Sequence, residues 1–465
     1  MLNGRGKLQA ASSITNGSCR SQPLPPTILG EEGVVDYPLS GTKERVAALD
    51  IAEHKVKLQM FDDTVYAYEF ALANMEVEGI TGKPNFSPGL LEGAFEIEAS
   101  MEVQRRLIAR LAYFERVNKH FTHQKFLTEV TGAVTGNHAK AYMTHWMYPY
   151  KGKFHPQMIR AIFNIINARK GDVILDPMTG SGTVNVEAKL MGIDSIGFDC
   201  LPIAVLTSRV KTQSLESTVA KDILWSEVPV LKMPRKGLDA FGDSVDQTDV
   251  NLIDVDFIKN EKVRDFFRLL AFEVTSISRL PNKKFDEVWK KMLGHYIQTI
   301  KSSTETIEKL ELSLGQSEIK LGDARKLDLD DESVNHIVTS PPYAIAIDYV
   351  VRNTEQLRQM GYSVDEIYDE TIGLRGKGDA RIDNYYKDLK KSIAEMHRVL
   401  KENGKCVIII GDTQFDKKSL PTIARCIDFA EKSGFKLLKN VPKVSAGRFG
   451  LFRTERMLFF EKPSV

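Results

Sequence analysis

Cysteine is scarce in this sequence, and the few cysteines present are scattered. The chain has 465 residues and four cysteines, at Cys19, Cys200, Cys406 and Cys426. They lie far apart, and no histidine pair stands near them, so the spacing of a zinc site is absent and we expect no metal centre. A set this sparse is typical of reduced thiols, which indicates a cytoplasmic protein.

The sequence also lacks an excess of charge of one sign and any long apolar run. It carries 63 basic and 62 acidic residues, for a net charge of +1. A balanced total does not exclude a polyanionic partner, because phosphate contacts depend on local patches. No apolar stretch approaches the length of a membrane span, and the first residues lack the apolar core of a signal peptide. We expect a soluble protein with no membrane contact.

The first informative motif is a glycine turn between a strand and a helix. An apolar strand from Val173 ends at Asp176, and the next residues are Pro177-Met178-Thr179-Gly180-Ser181-Gly182-Thr183. Glycines in such a turn let a ligand approach the backbone. Asn185 occupies the third glycine position of a dinucleotide fingerprint, and the Gly-Lys-Ser/Thr ending of a phosphate loop is absent. Asp176 at the strand tip suits a ligand with a positive amino group, such as the methionine part of S-adenosylmethionine.

Two further acids follow apolar runs in the same way. Asp199 ends a second short strand, 19 residues after Gly180, where a carboxylate can hold ribose hydroxyls. Asp323 precedes the next strand and is suited to accept a hydrogen bond from an adenine amino group. A single aspartate in such a place is more often a cap or turn residue. Three in this order, each after an apolar run, indicate a nucleoside ligand.

The second motif is a rigid polar loop after a β-branched strand. The strand from Ser333 to Val338 runs into Thr339-Ser340-Pro341-Pro342-Tyr343. The prolines end the strand and restrict the backbone of the preceding serine. The Ser340 hydroxyl and a carbonyl of the two prolines can accept both hydrogens of an exocyclic amino group, while Tyr343 stacks on a base turned out of a duplex. The alternative is a proline-ended edge strand with a surface tyrosine.

The two motifs together resemble the S-adenosylmethionine-dependent amino methyltransferases of DNA. The resemblance covers most of residues 141–212 and 316–465. In that family, serine before Pro-Pro-Tyr is typical of cytosine-N4 enzymes, whereas aspartate or asparagine is typical of adenine-N6 enzymes and several RNA methylases. Many cytosine-N4 members carry the catalytic motif before the glycine loop. The order is reversed here, which leaves the place of the target-recognition segment open.

A further segment is similar to the element that precedes the glycine loop in that family. It runs from Tyr148 to Pro156 and leads into a helix expected from Gln157 to about Ala168. Phe154 is suited to pack on the cofactor, and Pro156 is favourable at the start of a helix. The alternative is a loop that only caps this helix.

The motifs and the resemblance assign residues to both parts of a site. The residues assigned to the cofactor are Lys153, Phe154, Asp176, Pro177, Gly180, Ser181, Gly182, Thr183, Asp199 and Asp323. The residues assigned to catalysis are Ser340, Pro341, Pro342 and Tyr343.

The alternation of strands and helices predicts an α/β fold, a doubly wound Rossmann-like methyltransferase sheet with a helical N-terminal unit and a mainly helical insert. The expected divisions are a flexible tail at 1–40, a helical unit at 41–140, the cofactor half at 141–212, the insert at 213–315 and the catalytic half at 316–465.

Two regions are candidates for contact with nucleic acid. A helix expected from Glu98 to Lys119 carries several arginines, for which a solvated outer face is the more common explanation. By resemblance, the insert at 213–315 is the leading candidate for target recognition, with lysines that can meet phosphates. The alternative is a structural helical cap.

The resemblance implies a site-specific DNA methyltransferase that transfers a methyl group from S-adenosylmethionine to the N4 amino group of cytosine. Its partners would be double-stranded DNA with a flipped base and, in a restriction-modification system, a cognate endonuclease. Adenine-N6 methylation of DNA, base methylation of RNA and a binding protein without turnover are the alternatives. Methylation at ring carbon five is not indicated, since that chemistry uses a cysteine after a proline and none of the four cysteines follows one.

Overall fold

The computed structural model describes residues 54–84, 94–130, 141–226, 255–281, 283–342, 349–415, 418–446 and 452–464. The tail expected at 1–40 lies outside the described residues.

The N-terminal part combines a small antiparallel sheet with three helices. Its strands are β1 (His54–Met60), β2 (Ala94–Ala99), β3 (Phe114–Val117) and β4 (His120–Phe121), in the order β2-β1-β3-β4. Its helices are α1 (Ala67–Thr81), α2 (Met101–Arg110) and α3 (His123–Glu129). The described residues of this unit are therefore mixed α/β, which differs from the mainly helical unit that we expected.

The helix expected from Glu98 to Lys119 is shorter, for a physical reason. It ends at Arg110: the Leu111 N–H still donates to the Leu107 carbonyl, but the two N–H groups after it find other acceptors. Ala112 N donates to the buried Glu76 carboxylate at 2.9 Å, and Tyr113 N donates to it at 3.0 Å. The chain then continues as strand β3, so the helical spacing of apolar residues beyond residue 110 reflects strand burial.

A seven-stranded sheet forms the main body. The remaining strands are β5 (Val173–Asp176), β6 (Asp194–Asp199), β7 (Ser317–Leu321), β8 (Val334–Thr339), β9 (Leu400–Gly411), β10 (Thr413–Phe415), β11 (Lys418–Leu420), β12 (Lys436–Ala446) and β13 (Phe452–Glu461). Strands β10 and β11 pair with each other, and the other seven form the sheet in the order β12-β13-β9-β8-β5-β6-β7. Strands β5 to β9 pair in parallel, and β13 runs antiparallel to both of its neighbours. The α/β class with a parallel-dominated sheet is confirmed.

Helices cover both faces of this sheet and form a separate layer in the insert. They are a 3₁₀ turn (Met143–Trp146), α4 (Pro156–Ile165), α5 (Thr183–Leu190), α6 (Pro202–Gln213), α7 (Ser217–Trp225), α8 (Glu261–Ser278), α9 (Phe285–Lys309), α10 (Tyr349–Arg352), α11 (Thr354–Gln359), α12 (Val364–Glu370), α13 (Gly378–Val399) and α14 (Thr422–Lys432). The described part of the insert is helical, as expected. None of the described helices has both the length and the apolar composition that crossing a bilayer requires.

Alternate residues of the central strands enter two different cores, because successive side chains of a strand point to opposite faces. Ile174 and Val338 pack with the N-terminal unit and helix α4. Leu175 and Ile337 pack with residues of helices α13 and α14 on the other face. The sheet is thus buried on both sides, and its carboxyl edge is left to bind a ligand.

Arg110 ties the N-terminal unit to the main body. Its Nε donates to Asn164 Oδ1 at 3.0 Å, and its Nη2 donates to the Ala168 carbonyl at 2.7 Å. This arginine therefore has internal partners, whereas Arg105 and Arg106 on the same helix are exposed. Residues 50–465 form one compact unit. The divisions expected at 140, 212 and 315 stay predictions.

Candidate active site

The predicted motifs meet at one edge of the sheet. Strands β5, β6, β7 and β8 are parallel, so their carboxyl ends lie side by side. A cavity opens there between the glycine turn and the loop after β8. Of the predicted site residues, the cavity is lined by Lys153, Phe154, Pro177, Gly180, Ser181, Thr183, Asp199, Asp323, Ser340, Pro341 and Pro342.

Two of the predicted residues that the structure describes, Asp176 and Gly182, do not line the cavity. Tyr343 falls in 343–348, outside the described residues. Its expected stacking on a base stays a prediction.

Both glycines of the turn have left-handed backbones, but they serve different purposes. Gly180 has φ +51° and Gly182 has φ +76°, a region in which glycine is favoured. A Cβ on Gly182 would stand 2.8 Å from the Ser208 side chain and 2.9 Å from its Cα. A Cβ on Gly180 would meet only the Tyr150 ring, at 3.4 Å. Gly182 therefore permits helix α6 to pack against the turn, while Gly180 faces the cavity.

Asp176 connects the two motifs. Its carboxyl is buried, and its Oδ1 accepts hydrogen bonds from Thr339 Oγ1 at 2.7 Å and from Met178 N at 3.2 Å. Burial raises the pKa of this carboxyl to about 7, although both hydrogen bonds oppose the rise. The end of strand β5 is thereby fixed to the residue that precedes Ser340. The expected contact of Asp176 with a ligand amino group stays a prediction.

The Asp199 carboxylate is held by backbone N–H groups of nearby turns and lines the cavity. Its Oδ2 accepts from Gly180 N at 2.8 Å, and its Oδ1 accepts from Leu201 N at 2.9 Å. Burial raises the pKa of the Asp199 carboxyl to about 6, while the backbone hydrogen bonds oppose the rise. The group is mostly ionised at neutral pH and can accept further hydrogen bonds from a ligand.

Asp323 lies at the far end of the cavity, after strand β7. Its Oδ1 accepts from Arg325 N at 2.8 Å, and the Arg325 guanidinium reaches both carboxylate oxygens, at 2.8 to 2.9 Å. Its side chain is 42% exposed. Asp323 is thus held by one arginine while it remains open to the cavity.

Two neighbouring lysines, the partly buried Lys153 and the buried Lys211, share one acceptor. Lys153 Nζ and Lys211 Nζ donate to the same acceptor, the His145 carbonyl, at 3.2 and 3.3 Å. Burial lowers the pKa of both ammonium groups, and the nearby Glu273 carboxylate opposes this. Lys153 lines the cavity. A ligand carboxylate at Lys153 would add a second negative charge, beside Glu273, to the two lysine ammonium groups.

Sequence reasoning missed a pair of aromatic rings in the cavity wall. Tyr150 and Tyr349 stack with ring centroids 5.9 Å apart and an angle of 19° between their planes. Both line the cavity, and burial raises the pKa of both hydroxyls. Tyr150 stands three residues before Lys153, inside a segment that the sequence had marked. No comparable signal marks Tyr349.

Sequence reasoning also missed an ion pair beside the predicted catalytic loop. Lys443 on β12 and Glu455 on β13 are direct cross-strand partners, and the Lys443 ammonium donates to the Glu455 carboxylate. Both side chains are mostly buried, and both line the cavity. In the strand order they lie on the β9 side of Ser340, opposite to Asp199 and Asp323. The cavity therefore continues past Ser340 to a second, charged end.

One cysteine lines the cavity without the properties of a nucleophile. Burial raises the pKa of the Cys200 thiol to about 12, and the nearby Asp199 charge adds to the rise. The thiol is therefore protonated at neutral pH, and a protonated thiol is a weak nucleophile.

Comparisons with known proteins bear on both halves of the site. Residues 334–458 match a family model described as DNA methylase. Residues 147–251 match a model described as an RMKL-like methyltransferase domain. The first range begins at strand β8 and includes the Ser340 loop. The second range includes Lys153, the glycine turn and Asp199.

Two curated relatives and one solved structure illustrate these matches. The chain is 34% identical over 148 residues to the type II methyltransferase M.MjaII of Methanocaldococcus jannaschii, covering 31% of this chain and 24% of that protein. It is 36% identical over 63 residues to a tRNA (guanine(10)-N2)-dimethyltransferase of Methanothermobacter thermautotrophicus, covering 14% of this chain and 18% of that protein. A SAM-dependent methyltransferase structure from Methanosarcina mazei aligns at 12% identity with a TM-score of 0.29, covering 64% of this chain and 95% of that one.

The chain thus spans less than a quarter of the length of either curated relative. The chain is therefore similar to DNA methylases over residues 334–458 and to parts of type II methyltransferases.

Proposed function

We propose that this protein is a DNA methyltransferase that transfers a methyl group from S-adenosylmethionine to the N4 amino group of cytosine. The observation that carries the proposal is the single cavity that joins the glycine turn, Asp199 and Asp323 to Ser340 and the two prolines. A donor held on one side of this cavity would meet an acceptor held on the other.

The cofactor is S-adenosylmethionine, and the residues facing the cavity fit its parts. The Asp199 carboxylate accepts from ribose hydroxyls, as acids after a second strand do in related nucleotide sites. Asp323 accepts from the adenine amino group. Phe154 packs on the apolar surface, and the Lys153 ammonium suits the methionine carboxylate. Gly180 lets the ligand approach the backbone of the turn.

The methyl acceptor is an exocyclic amino group, whose lone pair is delocalised into the base ring. Ser340 Oγ and a proline carbonyl accept its two hydrogens and draw the nitrogen towards tetrahedral geometry. S-adenosylmethionine would supply the methyl group: the nitrogen lone pair would form the new N–C bond as the S–C bond of the donor breaks, which leaves S-adenosylhomocysteine. The nitrogen releases one proton afterwards, which restores a neutral base.

The choice of base rests on the serine before Pro-Pro-Tyr, which is typical of cytosine-N4 enzymes. Adenine-N6 methylation of DNA is the alternative within the same chemistry. Methylation of an RNA base is a second candidate, favoured by the similarity of 63 residues to a tRNA guanine-N2 enzyme. Product analysis separates these three.

We also propose a place for the enzyme in a restriction-modification system, with a cognate endonuclease as partner, because relatives of this chain are called type II methyltransferases. The insert at 213–315 is the candidate for target recognition. Lysines at the start of helix α9 are exposed and can meet DNA phosphates: Lys283, Lys284, Lys290 and Lys291.

A transfer assay with labelled S-adenosylmethionine tests the proposal. Duplex DNA and transfer RNA are offered separately to the wild type, to Ser340→Ala and to Ser333→Ala. Ser333 is the matched control, because its hydroxyl donates to the Asp330 carbonyl and does not line the cavity. We expect label in DNA, its loss in Ser340→Ala and its retention in Ser333→Ala. Label in RNA alone, or an active Ser340→Ala, would contradict the proposal.

A further inference from the structure

A chain of four charged side chains leads from Arg375, whose side chain is 41% exposed, through the buried Asp388 to the Asp323 end of the cavity. Asp388 on helix α13 is 1% exposed and binds two arginines. Its Oδ1 accepts from Arg375 Nη2 at 2.8 Å, and its Oδ2 accepts from Arg325 Nη1 at 3.0 Å. Arg325 in turn holds Asp323. The order of charges is Arg375, Asp388, Arg325, Asp323, so the signs alternate and the sum is zero.

Arg325 uses most of its hydrogen-bond donors in this chain. A guanidinium has five N–H donors in one plane. One Nη2 bond goes to the Glu370 carbonyl at 2.8 Å, while Nε and Nη2 also reach Asp323. The planar group therefore joins two walls of the cavity, the turn after β7 and the end of helix α12. Its orientation depends on Asp388, because Nη1 points into the protein and binds there.

We propose that Asp388 is a positioning residue for the adenine end of the cofactor. It fixes the Arg325 plane, and this plane fixes the Asp323 carboxylate as the acceptor for the adenine amino group. The inference rests on the proposed function, since it names a determinant of cofactor recognition at the same site. Asp388 touches no ligand itself, since it lies outside the cavity lining.

The physical reason is the freedom of Asp323 without its partner. Its side chain is 42% exposed, and without the guanidinium the Arg325 backbone N–H, at 2.8 Å, would hold Oδ1 alone, so the carboxylate plane could rotate. A fixed guanidinium fork selects one rotamer, because two oxygens must meet two N–H groups in one plane. Asparagine at position 388 offers one acceptor oxygen and no charge for two arginines. The fork would then lose its fixed plane, and Asp323 would lose its preferred orientation.

The test compares two ligands that differ at ring position six of the purine. S-adenosylhomocysteine carries the amino group there, and S-inosylhomocysteine carries a carbonyl, which Asp323 would repel. Calorimetry measures the dissociation constant of each ligand for the wild type, Asp388→Asn, Arg325→Lys and Glu395→Gln. Glu395 is the matched control, because it lies on the same helix and binds Arg398 at 2.8 and 2.9 Å. It does not line the cavity.

We expect the wild type to prefer the adenosyl ligand by about 10- to 100-fold, as for a hydrogen bond to a charged group. Asp388→Asn should reduce this ratio at least about fivefold, and Glu395→Gln should leave it unchanged. A buried carboxylate between two arginines is costly to alter, so Asp388→Asn could fail to fold. Arg325→Lys then serves as the second variant, since it keeps the positive charge but not the planar guanidinium. We expect the same reduction in the preference for the adenosyl ligand.

Three results would overturn the inference. If Asp388→Asn weakens both ligands equally and leaves the ratio unchanged, Asp388 is only structural. If Asp388→Asn does not fold and Arg325→Lys keeps the full ratio, the fork has no part in recognition. If the wild type binds both ligands equally, Asp323 does not recognise the amino group, but the cavity still binds the cofactor product as proposed. Binding of neither ligand would instead refute the proposed function.

Discussion

The hydrogen bond between Thr339 and Asp176 gives the sharpest stability prediction. The substitution Thr339→Val keeps the shape of a side chain that is fully buried and removes the donor at 2.7 Å. Met178 N, at 3.2 Å, is then the remaining donor to Asp176 Oδ1. A hydrogen bond to a charged group contributes about 1.5 to 3 kcal/mol. We therefore expect a loss of about 2 kcal/mol in the free energy of unfolding when Asp176 is ionised.

The sign of the pH dependence follows from the raised pKa of Asp176. The carboxyl has a pKa of about 7 in the folded protein and a usual value of 3.8. The folded state therefore binds the proton more tightly, and this group costs stability as pH rises from about 4 to about 7. Thr339→Val removes a bond that lowers the pKa, so the cost grows and extends above pH 7. A rise of about one unit in the pKa of Asp176 corresponds to a loss of about 1.4 kcal/mol in the free energy of unfolding at high pH.

Urea unfolding of wild type and Thr339→Val at about pH 5.5 and about pH 9 measures this effect. The loss should be larger at the higher pH by roughly 1 kcal/mol. Thr207→Val is the matched control, because its buried hydroxyl donates to the neutral Ile203 carbonyl at 2.7 Å. The control should lose about 1 kcal/mol at both pH values. An equal loss for Thr339→Val at both pH values would show that the Thr339 hydroxyl does not act on the ionised Asp176 carboxylate.

Two further substitutions test the glycine turn and the charged end of the cavity. Gly182→Ala should lose about 3 kcal/mol in urea unfolding, from a left-handed backbone and a clash with Ser208, against about 1 kcal/mol for Gly180→Ala; equal losses would contradict the packing role. Lys443→Met should lower the methyl-transfer rate at least about tenfold while S-adenosylhomocysteine binding changes less than about twofold, because Lys443 lies on the far side of Ser340. Lys439 is exposed on the same strand, so Lys439→Met is the control and should change neither the rate nor the binding. A loss of S-adenosylhomocysteine binding in Lys443→Met would contradict the placement of Lys443 away from the cofactor.

The parts of the site that follow strand ends were predictable from the sequence. Asp199, Asp323 and Ser340 each come after an apolar run. Parallel strands bring their carboxyl ends to one edge, so these residues had to lie near each other once the fold class was right. The lining of the cavity by all three agrees with this argument.

The parts that depend on distant pairing were not predictable. Lys443 and Glu455 reach the cavity because the antiparallel strand β13 enters between β9 and β12. No local pattern reports that strand order. Asp176 follows the same local pattern as Asp199, yet its carboxyl is hydrogen-bonded by the Thr339 hydroxyl and is not part of the cavity lining. A sequence pattern gives the position of an acid but not its partner.

The N-terminal unit illustrates a different limit. Leu111 and Phe114 continue the helical spacing of the preceding residues, but the buried Glu76 carboxylate takes the backbone donors between them. Tertiary contacts therefore override local periodicity at that point.

The central claim is methyl transfer to the N4 amino group of cytosine in DNA. Duplex DNA is incubated with the full chain and labelled S-adenosylmethionine, digested to nucleosides and analysed by mass spectrometry. We expect labelled N4-methylcytosine with the wild type and none with Ser340→Ala. Labelled N6-methyladenine would contradict the choice of base, and the absence of any labelled nucleoside from DNA would contradict the claim itself.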